Sequence, residues 1–92
     1  MQKSVYSDAY QHFLLELRDV RTNADMSQEQ LAAALGEHQT FVSKVERGIR
    51  RLDVVELRLW LQALGSDFPE FCGRLDARLA RHGRPPSVAN KR

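Results

Sequence analysis

The sequence predicts an all-α protein built from five helices. Apolar residues recur at spacings of three and four along most of the chain, and no alternation of apolar and polar residues is long enough to define a strand. Gly36, Gly48 and Gly65 each follow a helical pattern, as expected of residues that accept a positive φ. A chain of 92 residues suits one domain with a modest core.

The limits of that domain follow from the two ends of the chain. Ser7 or Ser4 is placed to cap the first helix, which we expect to end near Asn23. A Gly-Arg-Pro-Pro run that starts at Gly83 stops the last helix. We therefore expect a flexible arm over residues 1–6, a folded domain over residues 7–82 and a flexible basic tail over residues 83–92.

A tight turn is predicted between the second and third helices. Ser27 is the expected N-cap of the second helix, and Gln30 lies three residues later, at the capping-box position. Gly36 is suited to the turn that ends this helix. The third helix is expected to begin at His38 or Gln39.

The third helix carries two chemically different faces. At about 100° per residue, Phe41, Val42 and Val45 fall on one side, which must be buried. The opposite side carries amide, hydroxyl and cationic groups, which hydrogen-bond to base edges and phosphates. A merely solvated helix has such a face too. The outward residues are Gln39, Thr40, Ser43, Lys44 and Arg47.

One cation on the first helix requires a partner. Arg21 lies within the apolar stripe of that helix, and an unpaired arginine on a core face is costly. Glu46 flanks the inward face of the third helix and is the natural partner. We therefore predict that Arg21 and Glu46 form a structural ion pair that holds the third helix against the first.

The stretch over residues 27–48 resembles a known family. Its pattern S-Q-x-x-L-A-x-x-L-G, followed by V-S-K-V-E-R-G, is similar to the phage-repressor (Cro-like, XRE-type) helix-turn-helix family, and the resemblance extends over roughly residues 13–65. It implies a lambda-repressor-like DNA-binding domain of five helices, with the motif in helices 2 and 3 and an extended C-terminal helix. It also implies a salt bridge between Arg21 and Glu46, and a contact of Gln28 with the DNA backbone.

The resemblance implies a sequence-specific transcriptional regulator, by the family's commoner mode a repressor, that places helix 3 (about 39–47) in the major groove. One helix reads only a few base pairs of double-stranded DNA. We therefore expect a homodimer on an inverted repeat, with half-sites about 34–36 Å apart. The formal net charge is only +2, but basic residues cluster at and after helix 3. The expected DNA-binding residues are Gln28, His38, Gln39, Thr40, Ser43, Lys44, Arg47, Arg50 and Arg51.

The fourth helix has a second apolar face that needs a cover. Val55 and Leu59 lie on this face, at positions that are more often polar in the family. The fifth helix, capped by Asp67 and amphipathic to about His82, either folds back on the fourth, pairs with its copy in a second subunit, or does both. The expected interface residues are Val55, Leu59, Phe68, Phe71, Leu75 and Leu79.

A second hypothesis uses the same scaffold for a different function. Fold alone does not fix function, and a helix-turn-helix domain can serve as a protein-interaction module, such as an antitoxin or a co-regulator that binds through helix 5. Such a module would not need the outward polar residues of helix 3 together. We therefore favour DNA binding.

Several other classes find no support in the sequence. No apolar run reaches the ~18 residues of a membrane span, and the N-terminus lacks an apolar signal region, so we expect a cytoplasmic protein. The histidines lack metal-ligand spacing and no carboxylate pair is placed for acid–base work, so we expect no enzyme, metal, cofactor or small-molecule ligand. We expect the single cysteine, Cys72, to be a small buried residue. The row of Arg74, Arg78, Arg81 and Arg84 could make a second DNA contact, but we favour a solvated helix face.

Overall fold

The structure is a computed structural model that describes residues 3–83. Over this range the all-α prediction is confirmed, and no strand occurs. None of the helices described is long and apolar enough to cross a membrane. The elements are α1 (Lys3–Asn23), α2 (Gln28–Leu35), α3 (Gln39–Glu46), α4 (Val54–Ala63) and α5 (Phe68–Arg78), which continues as a π-helical turn over Leu79–Gly83.

The first helix begins earlier than either predicted cap. α1 starts at Lys3, so residues 3–6 are helical and are not part of the predicted arm. Neither glycine nor proline occurs between residues 3 and 23, so no residue of this stretch breaks the helix. The prediction for residues 1–2 and for the tail after Gly83 lies outside the described residues.

Two capping boxes fix the starts of α2 and α4. The predicted box is present in α2: Gln30 N–H donates to Ser27 Oγ at 3.0 Å, and Ser27 N–H donates to Gln30 Oε1 at 2.8 Å. The same reciprocal bonds join Asp53 and Glu56 at the start of α4, at 2.8 and 2.9 Å. This second box was not predicted, although the D-x-x-E spacing at 53–56 carries the signal.

Glycines close both helices of the motif. Gly36 has φ 73°, and the next N–H, that of Glu37, donates to the carbonyl of Ala32 at 2.9 Å. Gly48 follows α3 with φ 81°. A Cβ at Gly48 would lie only 3.1 Å from Leu14 Cδ1, so this glycine also lets the end of α3 approach α1 closely.

All five helices contribute to one apolar core. Trp60 of α4 is only 1% exposed, and the ring of Phe41 from α3 lies 6.1 Å from its ring. The largest fully buried side chains are Trp60, Phe71, Leu17, Leu31, Leu61, Val42 and Val45.

The fifth helix packs back onto α1 and α4. Phe71 is fully buried and meets Phe13 of α1 edge to face, with ring centroids 6.1 Å apart. Cys72, the next residue, points away from the core and is exposed, so its predicted burial is wrong. The reason is the helical rotation of about 100° between adjacent residues, which leaves the inward position to Phe71.

A buried carboxylate on α1 also holds α5 in place. Glu16 is 8% exposed, and its two carboxylate oxygens accept hydrogen bonds from Arg74 Nε at 3.1 Å and from Arg78 Nε at 3.0 Å. The arginine row is therefore more than a solvated face. Arg74 and Arg78 reach back to α1 although water still contacts them, and Arg81 is exposed.

Candidate nucleic-acid interface

The two faces of α3 differ as the sequence predicts. Val42 and Val45 are fully buried, and Glu46 is 2% exposed. Ser43 is half-buried at the edge of the outward face. The exposed outward residues are Gln39, Thr40, Lys44 and Arg47.

Arg21 and Glu46 lie together beneath this helix. Arg21 Nε donates to Glu46 Oε2 at 2.7 Å, and Arg21 Nη2 donates to Glu46 Oε1 at 3.0 Å. The side chains are only 12% and 1% exposed, and a third bond joins Arg21 Nη1 to the carbonyl of Met26 at 2.9 Å. This forked geometry ties α3 to α1 and to the residue that precedes the N-cap of α2.

Two glutamines extend this pair to the surface. Gln28 Nε2 donates to Glu46 Oε1 at 2.9 Å, and Gln39 Nε2 donates to Gln28 Oε1 at 2.8 Å. The direction of the bonds follows from chemistry, because an ionised carboxylate can only accept. Gln28 must therefore present its nitrogen to Glu46 and its oxygen to Gln39. Gln39 is left with its own Oε1 and one N–H for an outside partner.

The connection through Gln28 is not predicted by the sequence. The family resemblance implies only a contact of Gln28 with the DNA backbone, whereas in the structure its side chain bridges α2 and α3. Nothing in the helical period marks such a bond, since both glutamines lie where polar residues are ordinary.

The other polar residues of the motif are less constrained. His38 is the N-cap of α3, but its side chain forms no capping hydrogen bond. Arg47 Nε donates to Ser43 Oγ at 3.2 Å, one turn earlier on the helix. Thr40 and Lys44 are exposed on the same face, where their side chains are accessible to a ligand.

The two loop arginines have different surroundings. Arg50 forms a bidentate pair with Glu56, with both N–O distances 2.9 Å, and lies over the Phe41 ring at 5.1 Å from its centroid. The hydrogen bond from Arg50, with that from the Asp53 N–H, lowers the pKa of Glu56 to about 2. The guanidinium of Arg51 instead lies over the ring of Tyr10, 4.1 Å from its centroid.

The six residues predicted for a dimer interface do not form one surface. Val55 and Leu59 are 65% and 51% exposed on α4, so α5 does not cover them. Phe71 is part of the core, and its assignment to an interface is wrong because α5 turns this side toward α1. The remaining three, Phe68, Leu75 and Leu79, are half-buried. Phe68 and Leu75 also pack against the core.

Two of the three histidines are brought together by the fold. The rings of His12 on α1 and His82 after α5 stack with centroids 5.2 Å apart. Between residues 3 and 83, no group of three or more His, Cys, Asp or Glu residues is arranged to hold a metal ion.

Comparisons with known proteins agree with this architecture. A helix-turn-helix family model matches residues 17–71. An XRE-family like protein from Pseudomonas syringae pv. tomato str. DC3000 is 38% identical in sequence. The match covers 83% of this chain and 93% of that one, with a TM-score of 0.77. A search of curated proteins finds no match.

A second solved structure is a mutant of the restriction–modification controller protein C.Esp1396I. It is 26% identical, and the match covers 80% of this chain and 94% of that one with a TM-score of 0.72. The family match spans more than half of the chain and includes all of α2 and α3. The chain therefore belongs to the XRE-type helix-turn-helix family of DNA-binding transcriptional regulators.

Proposed function

We propose that this protein represses transcription by binding a specific DNA sequence as a homodimer, with α3 in the major groove. The observation that carries the proposal is the orientation of Gln39. Its amide is held by Gln28, which is held in turn by the buried carboxylate of Glu46. A surface glutamine on a solvated helix would have no need of such support.

The free groups of Gln39 suit one base in particular. Its oxygen can accept from adenine N6 and its remaining N–H can donate to adenine N7, a pairing that the major groove allows. Lys44, five residues further along α3, suits the O6 and N7 acceptors of guanine. Thr40 and Ser43 lie on the same side of the helix and are assigned to bases or to adjacent phosphates.

A second group of residues is assigned to the DNA backbone. Arg47 and Arg51 are exposed cations without a carboxylate within 4.0 Å among the described residues. His38 lies at the start of α3, and the main-chain N–H of Gln28 lies at the positive end of α2. Such contacts set the register of the protein on DNA without reading sequence.

The homodimer is assigned to the exposed face of α4. Val54, Val55 and Leu59 are 63%, 65% and 51% exposed. Val54 also borders an open, mostly apolar groove of about 450 Å³ that Tyr10 and Leu75 line. A second copy related by a two-fold axis would remove these exposed side chains from water. Two copies of α3 would then face an inverted repeat, and the bound dimer would block polymerase at a promoter.

The packing of α5 argues against the alternative of a protein-interaction module. That hypothesis requires the apolar side of α5 to be a free binding surface, but this side packs against α1 and α4. The exposed face of α4 remains, and a second copy of the chain accounts for it.

The direct test is selection of duplex DNA from a random pool at a stated salt concentration. The wild type should enrich an inverted repeat. Gln39→Ala should relax the preference at one position of each half-site, at a cost of about 1–3 kcal/mol, and Lys44→Ala should relax another. Gln11→Ala, which removes an exposed glutamine from α1, serves as the matched control. Enrichment of no sequence by the wild type would exclude direct readout.

The dimer has a separate test by sedimentation. Leu59→Glu puts a charge on the proposed pairing surface and should convert a dimer into a monomer. Leu15→Glu makes the same change at a 45% exposed leucine on α1 and should leave the dimer intact. A monomeric wild type, or equal effects of the two substitutions, would remove this surface from the proposal.

A further inference from the structure

Arg50 makes several contacts within the protein, and these leave its guanidinium little capacity to bind a DNA phosphate. Two of its nitrogens meet the two oxygens of Glu56 at 2.9 Å, and Nη1 also donates to the carbonyl of Arg51. Its guanidinium lies over the ring of Phe41. These groups belong to α3, to the loop and to the first turn of α4, so one side chain spans the whole α3–α4 connection.

We propose that Arg50 is a positioning residue: its bidentate pair with Glu56 fixes the angle between the reading helix α3 and the pairing helix α4, and it makes no phosphate contact. This inference rests on the proposed function, because it assigns a role to the loop within DNA recognition. It replaces the expectation that Arg50 and Arg51 act alike.

The charge balance supports a role inside the protein. Glu56 neutralises Arg50, and a neutral pair displaces no counterion from DNA. Glu56 is itself fixed by the capping box with Asp53, so the carboxylate is an anchored partner and not a mobile surface group. Burial adds little to this pair, since the two side chains are 43% and 33% exposed, and geometry is what distinguishes it.

Arg51 provides the matched comparison. It is the adjacent residue and carries the same charge, but its guanidinium lies over the ring of Tyr10 and no salt bridge holds it among the described residues. Its charge is therefore available to phosphates. If Arg50 positions and Arg51 binds, their removal should affect different properties of the complex.

The experiment measures binding to the duplex enriched by the wild type and to an unrelated duplex, over a range of salt concentrations and at a temperature where every variant is folded. Arg51→Ala should weaken both duplexes alike and reduce the slope of log affinity against log salt by about 0.9. Arg50→Ala should leave the slope unchanged and lower the ratio of specific to non-specific affinity, by roughly five- to tenfold. A purely stabilising residue would not change that ratio in the folded protein.

Two further variants keep the inference testable if Arg50→Ala folds poorly. Arg50→Lys keeps the charge but cannot form the forked pair, so it should also lower the specificity ratio; a phosphate contact would tolerate this change. Glu56→Gln should lower the ratio of specific to non-specific affinity as well. If Arg50 were instead a phosphate contact, losing the Glu56 carboxylate would free its charge and DNA binding should become stronger. A salt slope that falls by about 0.9 in Arg50→Ala would overturn this inference but would leave the proposed function standing. A wild type that enriches no sequence would overturn the proposed function and this inference together.

Discussion

Glu46 and Glu16 are the two buried carboxylates of the described residues, and they differ in what surrounds their partners. Glu46 is 2% exposed, and the side chain of its partner Arg21 is only 12% exposed. Glu16 is 8% exposed, but the side chains of Arg74 and Arg78 are 45% and 24% exposed. The first carboxylate is thus paired with a buried cation, and the second with cations that water still reaches.

The two networks also end in different places. From Glu46 the hydrogen bonds continue through Gln28 to Gln39 on the outward face of α3. From Glu16 they continue to Arg74 and Arg78 of α5, and Arg78 also lies 3.6 Å from Asp19 of α1. One network therefore joins stability to recognition, while the other fastens α5. Substitutions at each carboxylate can separate these two roles.

The largest effect is expected at Glu46. Glu46→Ala leaves the guanidinium of Arg21 buried without its carboxylate, which costs about 3–5 kcal/mol of unfolding free energy. DNA affinity should fall as well, since Gln28 loses its acceptor. Thermal and urea unfolding measure the first effect, and titration with the selected duplex measures the second.

Arg18→Ala is the control for this prediction. Arg18 also approaches Glu46, at 3.9 Å, but its side chain is 48% exposed, so its loss should cost less than about 1 kcal/mol. An unchanged melting temperature for Glu46→Ala would contradict a structural role for the pair.

The comparison also separates what sequence could predict from what it could not. Arg21 was recognisable because a cation interrupts an apolar stripe, and Glu46 because it flanks the inward face of the third helix. Glu16 carries a similar signal, since it follows Phe13 by three residues and precedes Val20 by four. Its partners are 58 and 62 residues away, and helical period alone does not indicate which distant residues meet.

The helix-turn-helix itself was predictable because its determinants are local. The capping box of Ser27 and Gln30 and the positive φ of Gly36 each depend on residues a few positions apart. Bonds between side chains of different helices, such as Gln28 to Gln39, depend on the packing angle, which no local pattern encodes. The same limit applies to Phe71, because only the packing of α5 decides whether its apolar side meets α1 or a second subunit.

A smaller loss of stability is expected at Glu16. Glu16→Ala removes two charge-assisted hydrogen bonds to half-exposed arginines, so we expect a cost of about 1–2 kcal/mol. The affinity of the folded protein for its selected duplex should not change, because this network does not reach α3. Glu70→Ala is a matched control: Glu70 is 71% exposed and lies 3.9 Å from Arg74, so its loss should cost at most a few tenths of a kcal/mol. A drop in DNA affinity for Glu16→Ala would break the distinction between the two networks.

The bridge at Gln28 should affect recognition more than stability. Gln28→Ala removes one bond to Glu46 and one to Gln39, and we expect a cost of about 0.5–1.5 kcal/mol in unfolding free energy. The preference for one base pair should weaken because the amide of Gln39 is no longer oriented. Combining Gln28→Ala with Gln39→Ala should add little to the specificity loss of Gln39→Ala alone, as expected of residues in one network. Fully additive losses would show that the two glutamines act independently.

The smallest effect is a dependence on pH at Glu56, the exposed counterpart of the two buried carboxylates. Its pKa is about 2 in the folded protein, against an ordinary value of 4.5, because Arg50 and the Asp53 N–H stabilise the carboxylate. A folded pKa below the unfolded one stabilises the protein above the unfolded value, and this stability is lost as pH falls toward the folded one. The difference in unfolding free energy between the wild type and Glu56→Gln should therefore be constant above about pH 5 and should shrink from about pH 4.5 to pH 2. Urea titrations at a series of pH values measure this difference, and the other carboxylates, present in both proteins, cancel from it. A difference that stays constant down to pH 2 would mean that the pair with Arg50 does not hold Glu56 ionised in the folded state.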